Sequence, residues 1–183
     1  KFPNGFKAYI YLLMDNYSRA ILSYRISTQY SSFYTKENLM DVYEKYLKPA
    51  GIMQCSLVTD DGSENHGLAA KFLSECTKPS IKQLFAQKTI TQSNSMIEAV
   101  NKSLKYGFLY HQAIPDLHAL EKYVPLAIQD RDNRPHDVLN GLTPLEVLNG
   151  SLPSSVNFAS QTANSIKNRI AANKKENCCG FSF

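Results

Sequence analysis

Apolar residues recur along the chain with two spacings, one typical of strands and the other of helices. Runs rich in Ile, Leu and Tyr at residues 8–14 and 20–27 predict the two strands of a hairpin. Apolar positions at helical spacing predict a helix over residues 36–48, which Pro49 ends. The apolar run over residues 54–59 predicts a short buried strand.

The rest of the chain alternates helices with one further strand. The pattern predicts three helices, over residues 68–76, 95–110 and 116–132, and one strand over residues 81–86. Asp116 should cap the third of these helices. Thr143 should cap a last short helix that has Pro144 at its first position. From residue 151 onward Ser, Asn and Lys dominate, which predicts an extension with at most one weak helix near residues 163–172.

A sharp acidic turn follows the predicted buried strand. The sequence Thr-Asp-Asp-Gly-Ser-Glu-Asn at residues 59–65 places carboxylates where a sheet fixes the backbone and a side chain can face an open cleft. Such carboxylates suit a hard divalent cation better than a soft one. The alternative is a solvated loop, which is the commoner role of an acidic turn. The turn by itself leaves both interpretations open.

The helix predicted over residues 95–110 adds another carboxylate and two lysines. Its apolar positions should face the core, namely Ile97, Val100, Leu104 and Phe108. Glu98, Lys102 and Lys105 lie at i, i+4 and i+7, so they share a second stripe of the helix. This stripe is either a solvated face with one ion pair between Glu98 and Lys102, or a metal-binding carboxylate beside two cations that hold phosphates. The helix alone favours the solvated face.

Together the two segments resemble the catalytic cores of retroviral integrases and of the transposases of bacterial insertion sequences, which use an Asp-Asp-Glu triad. The second Asp of that family lies in a Ser/Thr-Asp-x-Gly-Ser motif at a strand end, which residues 59–63 match. The family's Glu opens a helix, and the stretch over residues 91–105 is similar to that segment. The gap of 37 residues between Asp60 and Glu98 is close to the family's spacing.

Two further stretches resemble the bacterial branch of this family. Asp-Asn-Tyr-Ser-Arg at residues 15–19 is similar to its turn after the first long strand. Asn-Arg-Pro-His at residues 133–136, followed by Thr143 and Pro144, is similar to its later signature. The resemblance covers roughly residues 6–149, and four motifs in the same order make it specific.

The resemblance implies a site and a reaction. The reaction would be metal-dependent phosphodiester cleavage and strand transfer for DNA integration and recombination. Asp60 and Glu98 would be catalytic residues and ligands of Mg²⁺ or Mn²⁺, because holding two such ions requires carboxylates from several elements. Lys102 and Lys105 would grip DNA phosphates, and Gln92 on the preceding loop would reach the DNA end. Asp61 and Glu64 would stay solvated without binding the metal.

The resemblance also implies an architecture and partners. The fold would be α/β and ribonuclease H-like, a mixed five-stranded sheet flanked by helices. Residues 1–150 would form the catalytic core, with the first strand and its catalytic Asp truncated, and residues 151–183 a partly disordered extension. The partners would be the DNA of the element ends and of the target, together with further copies of the chain, and no membrane. A bacterial cytoplasmic protein associated with the nucleoid would fit these partners.

The sequence departs from the family's pattern in three places. The family's first Asp precedes the Pro-Asn-Gly turn found here at residues 3–5, so with a chain that starts at Lys1 we expect that Asp to be missing and the fragment to be inactive. Asp15 is not a substitute, because it matches the turn before Tyr-Ser-Arg. Ser95 stands where the family often has Gly, and Asn65 stands where it often has an aromatic residue.

Composition agrees with one compact domain. A chain of 183 residues, with 43% hydrophobic and 20% charged residues, can bury one good core. The net charge of +4 permits a nucleic-acid partner but is too mild to argue for one unaided. The four cysteines show no Cys-x-x-Cys spacing, so the family's zinc-binding module is not in this chain.

Two other functions stay open at this point. One is a plain metal-dependent nuclease of the same fold without strand transfer. The motifs at residues 133–136 and 143–144 argue against this function. The other is a degenerate module that binds DNA or supports assembly without catalysis. Asp60 and Glu98 weigh against such a module because both residues are present.

Overall fold

The structure is a computed structural model that describes residue 5 and residues 7–76, 80–86, 95–153 and 159–175. Its four strands form two separate two-stranded sheets. Strands β1 (Tyr9–Met14) and β2 (Ile21–Ser27) pair antiparallel as a hairpin. Strands β3 (Gln54–Thr59) and β4 (Ser80–Phe85) pair in parallel.

The helices occur in the order that the apolar spacing predicts. Their bounds are α1 (Ser32–Val42), α2 (Leu68–Glu75), α3 (Ser95–Gly107), α4 (Leu117–Asp132), α5 (Pro144–Leu148) and α6 (Ala159–Lys175). A wider π-helical turn at Tyr43–Leu47 extends α1 toward Pro49. Helix α1 begins four residues before the predicted start, because the Ser31 hydroxyl caps it by accepting the Phe33 N–H at 3.2 Å. Helix α6 is longer than the weak helix predicted near residues 163–172.

Two predicted helix caps are confirmed. The Asp116 carboxylate accepts the Ala119 N–H at 2.8 Å and starts α4. Thr143 and Glu146 form a reciprocal capping box at α5, with Pro144 at the start of the helix. The Glu146 carboxylate accepts the Thr143 N–H at 2.7 Å, and this bond lowers the pKa of Glu146.

The hairpin lies between helices on both faces. On one face its residues pack against α3 and α4 in a cluster around Val100, Leu104 and Val124. Leu13, on the other face, packs with Leu57 of β3 in a second cluster around Leu39 of α1 and two residues of α2. The apolar face predicted for the helix over residues 95–110 is therefore confirmed. The hairpin and the β3–β4 sheet share α1 as a common support.

The predicted five-stranded sheet is wrong for the described residues. Strand β1 hydrogen-bonds only to β2, and β3 hydrogen-bonds only to β4, so no backbone bonds join the two sheets. Consecutive residues 10–14 of β1 and 55–59 of β3 line one cavity of about 600 Å³. Because consecutive residues of each strand line the cavity, the cavity runs along the edge of each strand, and the two edges do not meet. The strands form two sheets because no described strand lies between these two edges to make backbone hydrogen bonds with both of them.

The prediction of a buried strand over residues 54–59 is also wrong in part. The strand has the predicted bounds, but its side chains alternate between half-buried and exposed. Val58 is 53% exposed, because only the face that bears Leu57 packs against helices. Within the described residues, no helix is both long and apolar enough to cross a membrane.

Candidate functional site

Asp60 and Glu98 line the same cavity. Asp60 follows the last residue of β3, and Glu98 lies in the first turn of α3. Both belong to the cavity of about 600 Å³ between the edges of β1 and β3. Both residues are exposed rather than locked into the core. Two carboxylates that are far apart in sequence therefore face one open space.

A buried amide holds the Asp60 carboxylate in place. The Asn65 side chain donates to Asp60 Oδ1 at 2.7 Å and to the Asp60 carbonyl oxygen at 3.2 Å. The Gly62 N–H donates to the same Oδ1 at 3.3 Å. Both bonds to the carboxylate end on Oδ1, so Oδ2 has no hydrogen-bond partner among the described residues. This arrangement orients the carboxylate and leaves one oxygen for a ligand.

A residue of the neighbouring strand supports Asn65 in turn. The Gln83 side chain of β4 donates to the Asn65 carbonyl oxygen at 3.1 Å and to Thr59 Oγ1 at 3.2 Å. Asn65 is only 8% exposed. The turn after β3 is therefore tied to β4 by side-chain bonds as well as by the strand pairing.

Glu64 does not stay solvated, contrary to the prediction for this turn. Its carboxylate accepts a hydrogen bond from the Tyr30 hydroxyl, which raises the pKa of Tyr30 to about 12. The carboxylate of Glu64 lies against Gly62, where a Cβ would displace it. Asp61 does remain exposed, and its Oδ1 lies 3.1 Å from His66 Nε2.

The lysines of α3 face a second cavity. This space of about 560 Å³ is lined by Lys102, Lys105, Glu98 and Glu64, together with five tyrosines. No ion pair joins Glu98 to Lys102, although other helical pairs at the same spacing do form, such as Lys48 with Glu44 at 2.9 Å. The stripe of α3 is therefore exposed but lacks the ion pair that the interpretation as a solvated face included.

Asp15 has the structural role that the sequence predicted. Its Oδ2 accepts the Ser18 N–H at 2.7 Å and closes the turn between β1 and β2. Arg19 ends this turn with a φ of 66°, and its carbonyl oxygen accepts a hydrogen bond from Arg131 at 2.8 Å. The side chain of Asp15 also reaches the cavity that contains Asp60. The Asp15 carboxylate is committed to the turn by its bond to Ser18.

The donor chemistry of the cavity fits a hard divalent cation. Carboxylate oxygens of Asp60 and Glu98 are ligands that Mg²⁺ and Mn²⁺ prefer. Within the described part of the chain, however, no group of three or more His, Cys, Asp or Glu side chains converges closely enough to hold a metal ion. Gln92, the predicted contact to a DNA end, lies outside the described residues.

Sequence reasoning missed Asn65, Gln83 and Tyr30 as parts of this site. The only signal for Asn65 was its departure from the aromatic residue common in the family. Gln83 could be found only from the strand register, which places it opposite Leu57. Tyr30 could be found only from the tertiary packing that brings it to Glu64 across 34 residues.

No protein-family model matches the chain, and no curated protein matches it. Solved structures do. A chain of the simian T-cell lymphotropic virus intasome, solved in complex with PP2A regulatory subunit B56 gamma, is similar with a TM-score of 0.56 and 15% sequence identity. The similarity covers 81% of this chain and 52% of that one, so this chain spans about half the length of its viral counterpart.

The catalytic core domain of BIV integrase is also similar. Its TM-score is 0.52 at 13% sequence identity, over 75% of this chain and 83% of that one. At such identities the similarity concerns the fold. The chain therefore has a mixed α/β fold of the integrase-core type, which is ribonuclease H-like, although its described strands form two sheets rather than one.

Proposed function

We propose that this chain is the catalytic core of a DNA integrase or transposase, which cleaves phosphodiester bonds and transfers DNA strands. The observation that carries the proposal is that Asp60 and Glu98 line one cavity in a fold of the integrase-core type. The motifs at residues 15–19 and 133–136 support the bacterial insertion-sequence branch. Element ends, target DNA and further copies of the chain are the proposed partners.

Mg²⁺ or Mn²⁺ is the proposed cofactor, and Asp60 and Glu98 are its proposed ligands. Held by these carboxylates, such ions would supply positive charge to activate the attacking oxygen and to stabilise the phosphoryl group and the leaving oxygen. Residues of the chain would position the metal-binding carboxylate and hold the DNA. Asn65 orients the Asp60 carboxylate, while Lys102 and Lys105 hold the phosphates of the DNA strand beside Glu98.

We place the third carboxylate of the proposed triad on a strand between β1 and β3. Both edges line the cavity that contains Asp60 and Glu98, and among the described residues neither edge pairs across it. An extended segment there would satisfy the backbone groups of both edges and join the two sheets. An Asp on that segment, at the end near Asp60, would be the third metal-binding carboxylate, beside the two that the described residues provide.

The DNA-binding part of the proposal predicts a change in salt dependence. Lys102→Ala and Lys105→Ala should each weaken duplex binding and reduce the slope of log Kd against log salt by roughly 0.9, the value for one phosphate contact. The measurement is fluorescence anisotropy of labelled duplex DNA across a salt series. Lys71→Ala is the matched control, because Lys71 pairs with Glu75 on α2 and lines neither cavity. Equal slopes for all three variants would contradict the proposed phosphate contacts.

The orientation of Asp60 predicts a change in metal binding. Asn65→Leu keeps the side-chain size but removes both donors, so Mn²⁺ affinity should fall roughly 10-fold or more. Electron paramagnetic resonance titration of Mn²⁺ measures this, and Mn²⁺-soaked crystals should show density against Asp60. The control is Asn149→Leu, an exposed helix-end position distant from Asp60 in the sequence. Unchanged Mn²⁺ affinity in Asn65→Leu would contradict the positioning role, and Mn²⁺ density only at His66 would contradict Asp60 as a ligand.

A further inference from the structure

An exposed pair of tyrosines continues the α3 side of the second cavity beyond the lysines. Tyr106 lies near the end of α3 and Tyr110 in the helical turn that follows it. Their rings meet edge to face, with centroids 5.0 Å apart. Tyr106 is 61% and Tyr110 is 65% exposed, whereas Leu109 between them is buried. Leu109 therefore packs into the core, while the two tyrosine rings on either side of it are exposed to solvent.

The order of side chains along α3 suits one strand of nucleic acid. Glu98, Lys102, Lys105 and Tyr106 line the same cavity in that order. Eight residues separate Glu98 from Tyr106, which is about 12 Å at a rise of about 1.5 Å per residue. This length corresponds to three or four base steps of about 3.4 Å each. A strand with a phosphate near Glu98 would pass both lysines before its bases reach the rings.

Charge complementarity indicates the occupant. Lys102 and Lys105 have no ion-pair partner within the described ranges, so their charges are available to phosphates. Glu64, which also lines this cavity, accepts a hydrogen bond from the Tyr30 hydroxyl. The Tyr30 ring lies 5.2 Å from that of Tyr9, so the cavity lining contains a second aromatic pair. Unpaired cations beside exposed rings form the combination that binds single-stranded nucleic acid, because every base has a face that stacks on an aromatic ring.

We propose that Tyr106 and Tyr110 form a stacking site for an unpaired base of a DNA strand whose phosphates lie on Lys102 and Lys105. The inference rests on the proposed function and deepens it, since it names the state of the substrate. The site takes a frayed or overhanging DNA end rather than an intact duplex. Its position places the stacked base three or four nucleotides from the phosphate nearest Glu98.

The test uses the 183-residue chain and two DNA probes. One probe is a blunt duplex, and the other is the same duplex with a short 3′ overhang that contains 2-aminopurine, whose fluorescence falls when it stacks. The unsubstituted chain should bind the overhang probe more tightly and quench it. The double variant Tyr106→Leu with Tyr110→Leu should lose about 10-fold in affinity for the overhang probe, together with the quenching. Its affinity for the blunt duplex and its salt slope should not change.

Two controls separate stacking from folding. Tyr106→Phe with Tyr110→Phe keeps both rings and should retain the affinity and the quenching. Tyr17→Leu removes an equally exposed tyrosine, 62% exposed, that lines neither cavity, and it should have no effect. Thermal melting of each variant reports whether it is folded.

The outcomes distinguish this inference from the proposed function. If the leucine double variant binds and quenches the overhang probe normally while Lys102→Ala weakens both probes, the stacking site is wrong and DNA binding stands. An equal loss for both probes in the leucine variant would overturn the inference too, because a base-stacking site does not contact paired bases. If the unsubstituted chain binds neither probe, both proposals fail. A loss confined to the overhang probe supports the stacking site.

Discussion

Glu98→Ala should reduce DNA strand transfer by about three orders of magnitude in a polypeptide that also supplies the strand proposed between β1 and β3. The reason is that loss of a metal-binding carboxylate removes several kcal/mol of charge stabilisation from the transition state, and about 4 kcal/mol corresponds to three orders of magnitude. Asp60→Ala should have an effect of similar size. The measurement is joining of oligonucleotide ends to target DNA with Mg²⁺. Folding should be unaffected, because both side chains are exposed at the cavity.

The matched control is Glu75→Ala. Glu75 is an exposed glutamate on α2 that lies 3.8 Å from Lys71 and lines neither cavity. This variant should join DNA ends at the parental rate. If Glu98→Ala also does so, the triad interpretation is wrong and the stripe on α3 has no catalytic role. If the polypeptide with the added strand cleaves DNA but never joins it, the plain nuclease is the better description.

Asp132→Ala should lower the free energy of unfolding by about 3–5 kcal/mol, the typical effect of removing one partner of a buried ion pair. Asp132 is 2% exposed, and its Oδ2 accepts the Ile21 N–H of β2 at 2.9 Å. Its Oδ1 contacts the guanidinium of Arg131. Burial raises the pKa of Asp132 despite these two donors. Alanine would leave the Ile21 N–H and the Arg131 charge buried without their acceptor.

The same helix provides the control for this stability measurement. Asp130 is two residues away and pairs with Arg134 at the surface at 2.7 Å. Exposed pairs contribute about 0–1 kcal/mol, so Asp130→Ala should leave the unfolding free energy nearly unchanged. Urea denaturation measures both variants. Similar small losses for Asp132→Ala and Asp130→Ala would contradict the view that Asp132 fastens α4 to β2.

The order of elements could be predicted from the sequence because each depends on local spacing and local capping. Asp116 and Thr143 each bond to a backbone N–H three residues later, so their roles can be read from adjacent positions. The joining of strands into sheets depends on contacts between distant segments. Apolar spacing does not specify these contacts, so the single five-stranded sheet was inferred from the family resemblance, whereas the four described strands pair two by two.

In the candidate site, too, some residues could be predicted from the sequence and others could not. The resemblance of two motifs indicated Asp60 and Glu98, and the structure brings both to one cavity. The supports of Asp60 were not predictable, because Gln83 reaches Asn65 only through the parallel register of β3 and β4. Glu64 was predicted wrongly because its partner, Tyr30, precedes it by 34 residues and packs beside it only in the folded chain.

The edges of β1 and β3, which no other described strand pairs with, have a consequence for the behaviour of this chain in concentrated solution. An unpaired edge offers a row of N–H and C=O groups to any extended segment, including one from another molecule. The exposed apolar side chain of Val58 on β3, at 53%, adds an attractive surface. Together these features would favour edge-to-edge association and precipitation, and a covalently attached strand at the same edges would act as a solubility element.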